Sequence, residues 1–433
     1  MTSIAVSAVA LVLGIVVFMA LCMKGTGTVI AGVIATIIVG VTTKAGLVTS
    51  LFTTFLSGAA GFLQTMMLIF AAGAVFGGLL NATGCSDRIG VTFANLMGEK
   101  NIFILIYVLV IILQMAGVQP ALVISFISFG MMRKLNLPRY IAMVACMGSS
   151  FVVLFGAAST NMICSAALGT TIYTQPVFTV IMAVIHLVLI HLYVLYLIKD
   201  ARKKGIGYDP LENEAVLESR RDDAQLPPAP LAIAPVIFVI AWCLVTINCF
   251  SFTSGQAAVS GMIIASLFLL IALGKNIKGN KFAVLEGSVK PILYALLCSC
   301  AAVGFATVVK ETAAFEAIIQ GASSWGMSGY VLAVIGTAVF SAVCADGNAG
   351  SASFLAIMGA RLMESGLNIG IIHRLIQWSS ATFDSLPHNG AIVMFLTLFG
   401  YDHKKAYKYL VVSNIVITTI TTVIGLIIAS IFF

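Results

Sequence analysis

Along most of this chain the apolar residues run on without a helical or alternating period, and the polar residues come in short bursts. Apolar runs of about 20 residues read as helices that cross a lipid bilayer. The first half gives spans at 3–23, 28–43 and 61–80. The burst "NATGCSDRIGVTFANLMGEKN", Asn81 to Asn101, mixes charge with apolar positions and predicts an amphipathic helix at the membrane surface. Two arms at 102–116 and 121–132 are each short for a full crossing and meet at "AGVQPA", which predicts a re-entrant hairpin. A segment at 140–170 is interrupted by "GAASTN", Gly156 to Asn161, and a last span covers 172–198.

The second half follows the same order. Spans at 231–252, 256–273 and 291–309 precede an interfacial piece, Glu311 to Gly329. Two arms at 330–343 and 352–363 meet at "CADGNAGS", a segment at 372–400 is interrupted by "DSLPHNG", and a final span covers 404–432. The segments "SSFVVLFGAASTN" and "SATFDSLPHN" occupy matching places, and shifting back from "CADGNAG" by their offset lands on "AGVQPAL". Five crossings and one hairpin per copy turn the second copy upside down, the inverted-repeat plan of many secondary transporters. The expected fold is therefore an all-α polytopic membrane protein of two inverted repeats, 1–198 and 231–433, each with about five transmembrane spans, one of them broken. Residues 199–230, charged and ending in prolines, form the linker.

Composition narrows the class. Of 433 residues, 60% are hydrophobic and 9% charged, against about 25% charged in a soluble domain. The formal charge of +7 invites a nucleic-acid partner. The basic residues instead sit in short loops at span ends, where topology accounts for them and no nucleic acid is needed. With the linker in the cytoplasm and both termini outside, 19 of the 23 Lys and Arg face inward; Lys44, Lys310, Arg361 and Arg374 face outward. This is the bias of a multi-pass protein of a bacterial inner membrane. The nine Cys fall almost wholly in apolar segments without a zinc or redox spacing, so no metal and no cofactor are expected. The first span carries no basic residue before Lys24, which reads as an uncleaved helix rather than a signal peptide.

The four polar interruptions carry the candidate chemistry. A helix broken inside lipid leaves backbone groups unpaired unless protein or a water-filled cavity satisfies them. Half-helix N-termini direct free N–H groups and partial positive charge at one place, which suits a carboxylate. The candidate substrate-binding residues are Gln119, Ser159, Thr160, Asn161, Gly347, Asn348, Ser351, Ser385, His388 and Asn389. Asp384, Asp346 and His388 are the candidates for carrying a coupling proton, because ionisable residues within a membrane usually serve such coupling. Each has a plainer reading as well: Asp384 as the cap of a half-helix starting near Pro387, Asp346 as a turn residue beside Gly347, His388 as a donor to a backbone carbonyl. "HRL", at His373 and Arg374, falls at a predicted span end and reads as an interfacial anchor.

The stretches "IIHRLIQWSS", "ATFDSLPHNGAIV" and "LFGYDHKKAYK", with "FAAGAVFGGLLNATG" in the first half, resemble the gluconate permease (GntP) family of the ion-transporter superfamily. The family-like positions are Asp384, Ser385, Pro387, His388 and Asn389, with Ser351 in the hairpin. The resemblance implies a proton-coupled importer of small hydroxy-monocarboxylates such as gluconate or 3-hydroxybutyrate. It also implies a homodimer whose protomers divide into a scaffold and a mobile domain moving like an elevator. The first-half break "GAASTN" departs from that pattern and is closer to the Ser-Asn-Thr tips of sodium-coupled carboxylate carriers. Sodium is therefore the alternative coupling ion. A channel and a membrane enzyme are the rivals from other classes; for an enzyme the sequence offers no second fixed cluster, metal-ligand set or cofactor motif.

Overall fold

A computed structural model describes residues 3–115, 121–155, 158–210, 226–277, 280–322, 326–327 and 329–433. Among these, regular structure is helical, apart from one isolated bridge pairing Thr43 with Thr312. The helices are α1 (Ile4–Met23), α2 (Thr28–Gly40), α3 (Gly46–Ala82), α4 (Cys85–Gly98), α5 (Asn101–Met115), α6 (Ala121–Leu135), α7 (Arg139–Ser149), α8 (Ser159–Leu168) and α9 (Pro176–Lys203). After the linker come α10 (Ala229–Phe250), α11 (Ser254–Ala272), α12 (Lys281–Lys310), α13 (Ala313–Ala322), α14 (Gly329–Cys344), α15 (Gly347–Met363), α16 (Ile369–Ser380), α17 (Gly390–Leu398) and α18 (His403–Phe432).

Six of these helices, α1, α3, α9, α10, α11 and α18, are long and apolar enough to cross a membrane. In hydrocarbon the backbone must satisfy its own hydrogen bonds, and a helix does so within one segment. Large apolar side chains stay exposed along the outer faces, for example Val9, Val12 and Val16 of α1 and Val184, Val188 and Leu192 of α9. Polar residues mark the ends: Ser3 caps α1, a Thr253–Gln256 capping box starts α11, and Asn280 caps α12. Between α4 and α5 the chain turns by 117° at Gly98, whose φ of 73° lies in the left-handed region that glycine enters freely.

α3 lies along α12, with α2 packed on α12 and α11 on α3. The α3–α12 approach is close because α3 turns glycines toward its neighbour: a Cβ at Gly78 would sit 1.8 Å from Ser288 Oγ. Small residues at such crossings let helix backbones meet without a hydrophobic driving force. A second core, with Cys164, Phe178, Phe340, Phe354 and Trp378, joins α8, α9, α14, α15, α16 and α18. Near one set of helix ends Lys44 pairs with Glu316 at 2.6 Å and Thr54 donates to Glu311 at 2.9 Å. Around the linker, Arg88 donates to the Pro227 carbonyl at 2.7 Å and the Arg139 N–H to Asp209 at 2.9 Å.

Candidate functional site

The interruption "GVQP", with Gln119, lies outside the described residues; the other three are largely within them. α7 ends at Ser149 and α8 begins at Ser159, with Ala158 at the N-cap position. Alanine has no side-chain acceptor, so the N-cap residue makes no side-chain bond to the first turn of α8. Ser159, Thr160 and Asn161 form that turn; Ser159 is exposed and Thr160 half-buried. The Thr160 hydroxyl donates to Asn348 Oδ1 at 2.8 Å, joining residues 188 positions apart.

The second-half hairpin turns tightly. Only Ala345 and Asp346 separate α14 from α15, and Ala345 takes a left-handed φ of 51°. Asp346 caps α15, its Oδ1 accepting the Ala349 N–H at 2.6 Å. Ser351 is buried and donates to the Gly347 carbonyl at 2.6 Å. Gly347 presses on the third interruption: a Cβ there would lie 2.9 Å from the Ser380 carbonyl and 3.1 Å from Asp384 Oδ2. The Asp384 carboxylate thus lies against the Gly347 backbone, and Asp346 is near enough for its charge to act on Asp384.

The third interruption is a nine-residue turn, 381–389, between α16 and α17. Ser385 donates to Asp384 Oδ1 at 2.9 Å. Asn389, not Asp384, caps α17: its Oδ1 accepts the Ala391 and Ile392 N–H groups at 2.5 and 3.1 Å, and its Nδ2 donates to the Asp384 carbonyl at 2.7 Å. Pro387 neither ends nor starts a helix. It lies within the turn, and its carbonyl accepts from His403 Nε2 at 2.9 Å. His388 points elsewhere, its buried ring edge-on to Phe18 and Phe305 with centroids 6.2 and 6.1 Å away. Neither ring nitrogen has a hydrogen bond of good geometry among the described residues, although the Ala342 carbonyl is close enough to interact.

The three interruptions thus meet. Thr160, Gly347, Asn348, Asp384 and Ser385 are linked through direct contacts, with Asp346 beside them. His388 is directed away into an aromatic clamp, and the side chains of Asn389 and Ser351 are committed to local backbone.

The reading of His373 and Arg374 as interfacial anchors is corrected: both are fully buried in α16. Arg374 Nε donates to the Thr174 carbonyl at 3.0 Å, Nη2 to the Ile172 carbonyl at 3.0 Å, and Nη1 to Gln377 Oε1 at 2.7 Å and Asn161 Oδ1 at 3.2 Å. His373 Nε2 donates to Asn161 Oδ1 at 2.8 Å, and its Nδ1 accepts from the Thr170 hydroxyl at 2.6 Å. That donor set fits a neutral imidazole, because Asn161 Nδ2 donates to the Ile172 carbonyl at 3.2 Å and so fixes Oδ1 as the acceptor. The sequence signal that could have found this cluster is "HRLIQWSS", in which His373, Arg374, Gln377 and Ser380 fall at i, i+1, i+4 and i+7 and so share one face of a helix whose other faces are largely apolar.

No family model matches the sequence. A protein of Bacillus subtilis (strain 168) named "Uncharacterized transporter YxjC" is 26% identical over 399 residues, which cover 82% of this chain and 84% of that protein. An "Uncharacterized transporter" of Haemophilus influenzae is 25% identical over 339 residues, covering 77% of each. A solved structure, titled as the crystal structure of the Alcanivorax borkumensis YdaH transporter with an unusual topology, superposes over 95% of this chain and 96% of that one, with a TM-score of 0.37 and 12% identity. The chain is a polytopic helical protein similar to proteins named as transporters, which supports a role in membrane transport.

Proposed function

We propose that this protein is a secondary active symporter that carries a small hydroxy-monocarboxylate, such as gluconate or 3-hydroxybutyrate, together with a proton. The observation that carries the reading is the meeting of three chain breaks, with Thr160 bonded to Asn348 and Asp384 lying against the Gly347 backbone. Polar backbone of this kind is tolerated at membrane depth where it lines a cavity or serves a ligand. The first turn of α8, to which its N-cap residue makes no side-chain bond, offers N–H groups and partial positive charge to a carboxylate. Thr160, Ser159 and Asn348 supply hydroxyl and amide partners. Asp384 takes the coupling proton: it is a carboxylate at the meeting point that caps no helix, whereas Asp346 is held as a cap. A site whose carboxylate is neutralised as the anion binds carries less net charge through the membrane.

Two inverted repeats are the architecture proposed, 1–198 and 231–433. Their support is that adding nine to each helix label turns one set of packing partners into another: α2 on α12 matches α11 on α3, α8 on α15 matches α17 on α6, and α8 on α16 matches α17 on α7. Not every contact has its counterpart: α6 packs against α3, but α15 makes no comparable contact with α12 among the described residues. α17 packs against α12, while α8 makes no comparable contact with α3 among the described residues. Such asymmetry between repeats is what two alternating states would interchange, so it supports an elevator-like exchange of α8–α15 and α6–α17 against α3 and α12. A homodimer, a bacterial inner membrane and a cytoplasmic linker complete the proposal.

In the sodium alternative, backbone carbonyls with Asn161 or Asn389 would hold the ion. The two side-chain oxygens are already engaged, the first with Arg374 and His373 and the second with the α17 backbone, which leaves that alternative to backbone carbonyls. Uptake of labelled 3-hydroxybutyrate and gluconate into proteoliposomes, with proton and sodium gradients imposed separately, tests the reading. Concentrative uptake that follows the proton gradient supports it. Uptake driven by sodium alone, or flux at channel rates without coupling, overturns it.

A further inference from the structure

Among the described residues Arg374 has no counter-charge. It is fully buried, and its guanidinium is met by two backbone carbonyls, an Asn and a Gln, all neutral. No ion pair among the described residues includes it, and its fifth N–H, on Nη2, has no acceptor in that set. The Phe155 ring covers the guanidinium with its centroid 5.8 Å away. A buried charge without a counter-charge is costly, and folded proteins normally pair it. His373 does not relieve the cost, since its bonding fits the neutral form.

The position of this cation gives it a use. Nη1 holds Asn161 Oδ1, and Asn161 follows Thr160 in the first turn of α8. Thr160 in turn holds Asn348 of the hairpin tip. The guanidinium therefore stands directly behind the turn to which the carboxylate is assigned, in a region shielded from water. Its charge adds to that of the helix end there, and low-dielectric surroundings lengthen its reach.

We propose that Arg374 is the fixed counter-charge of the transported anion: a positioning residue that, through Asn161 and the first turn of α8, restricts the site to ligands with one negative charge. The assignment rests on the transport reading and makes it more specific. It accounts for a guanidinium left without an acid: the carboxylate that balances it arrives with the substrate. The structural rival is that Arg374 only clamps the 170–175 loop through the Ile172 and Thr174 carbonyls.

The discriminating variant is Gln377→Glu. It keeps the side chain's size, lies outside the proposed binding set, and puts a carboxylate on the position now 2.7 Å from Nη1. It also gives up the 2.9 Å bond from Nε2 to the Val153 carbonyl. Gln377→Met, which loses that bond without adding charge, is therefore run beside it and is expected to keep the ligand shift; an equal loss in both overturns the counter-charge role. The loop clamp stays intact, so a clamping role alone leaves ligand affinity unchanged. The counter-charge role requires the internal carboxylate to displace the substrate's. Apparent affinity for 3-hydroxybutyrate then falls by roughly 30-fold or more, the lower range for uncoupling a buried charge pair. The readout is the shift in melting temperature of the detergent-purified full chain on adding 3-hydroxybutyrate, or gluconate, beside the same panel for Arg374→Lys. The lysine variant keeps the charge and loses the fork, so it retains a carboxylate-dependent shift even where its ligand-free stability drops. Loss of the shift in Gln377→Glu with retention in Gln377→Met and Arg374→Lys supports the proposal, also where the wild type fails to concentrate either acid in proteoliposomes, a result that would refute the transport reading alone. A wild-type shift preserved in Gln377→Glu overturns the counter-charge role and leaves the transport reading standing. A wild type that neither acid stabilises overturns the counter-charge role, while the transport reading is decided by the uptake measurement.

Discussion

Replacing Asp384 with Asn isolates the coupling step from binding. Oδ1 accepts from Ser385 at 2.9 Å and the carboxylate lies against the Gly347 backbone. An asparagine fits the same space, with its oxygen toward Gly347 and its NH2 toward the Ser385 hydroxyl, which can accept as well as donate. Every hydrogen bond is then remade, so the folding cost is expected to stay below about 1 kcal/mol. What disappears is the proton. Because Asp346 is occupied as the cap of α15, Asp384 is the one carboxylate counted, and one proton moves with each monoanion. One pH unit is worth about 1.4 kcal/mol per proton, so electroneutral uptake supports about tenfold accumulation across one unit. In proteoliposomes the wild type is expected to reach that ratio. Asp384→Asn is expected to bring it to near one, while exchange of internal unlabelled for external labelled 3-hydroxybutyrate continues. A variant that still accumulates about tenfold refutes the assignment.

Thr160→Val keeps the shape and removes the hydroxyl that bridges to Asn348; leaving that amide oxygen unpaired costs about 1–1.5 kcal/mol, seen as a roughly tenfold rise in the KM of uptake. Asn389→Ala removes the cap of α17 and is expected to cost about 1–2 kcal/mol in thermal unfolding, whereas Asn389→Asp, which keeps the acceptor, stays within ~0.5 kcal/mol of wild type; equal losses from both would show that the amide does more than cap. His388→Leu takes an imidazole out of the Phe18–Phe305 clamp and is expected to leave the accumulation ratio unchanged; a collapse of that ratio would return His388 to the coupling step.

The helix order was readable because each span is a long apolar run and each break interrupts it with Gly, Ser, Asn or Pro. Most predicted boundaries lie within a few residues of the observed ones; α3 and α12 begin earlier, because Ser50, Thr54, Ser288 and similar residues face helix partners rather than lipid. The role of Asp384 as a cap was a fair local reading, since the sequence does not say how many residues the turn spends before α17 starts; nine are used, and Asn389 takes the capping place. The hairpin tip is shorter than "CADGNAGS" suggests, because Asp346 lets α15 begin at once. The Arg374 cluster could not be read locally. Of its four acceptors only Gln377 is local; the others come from residues 161, 172 and 174, far away in the chain, and two of them are backbone carbonyls that every residue type carries. The polar face of "HRLIQWSS" reads locally as one turned to water or a headgroup region; its burial follows only from the 161–174 segment that covers it.

The account stands or falls on an anion occupying the first turn of α8. Among the native cysteines Cys249 alone is exposed, so a Ser159→Cys variant carries a second reactive thiol and an internal control. The rate of labelling by a polar maleimide, with and without saturating 3-hydroxybutyrate or gluconate, is the direct measurement. The expected result is that the acid slows modification at position 159 and leaves Cys249 unaffected. Equal rates at position 159 with and without an acid that the same preparation transports would contradict the account.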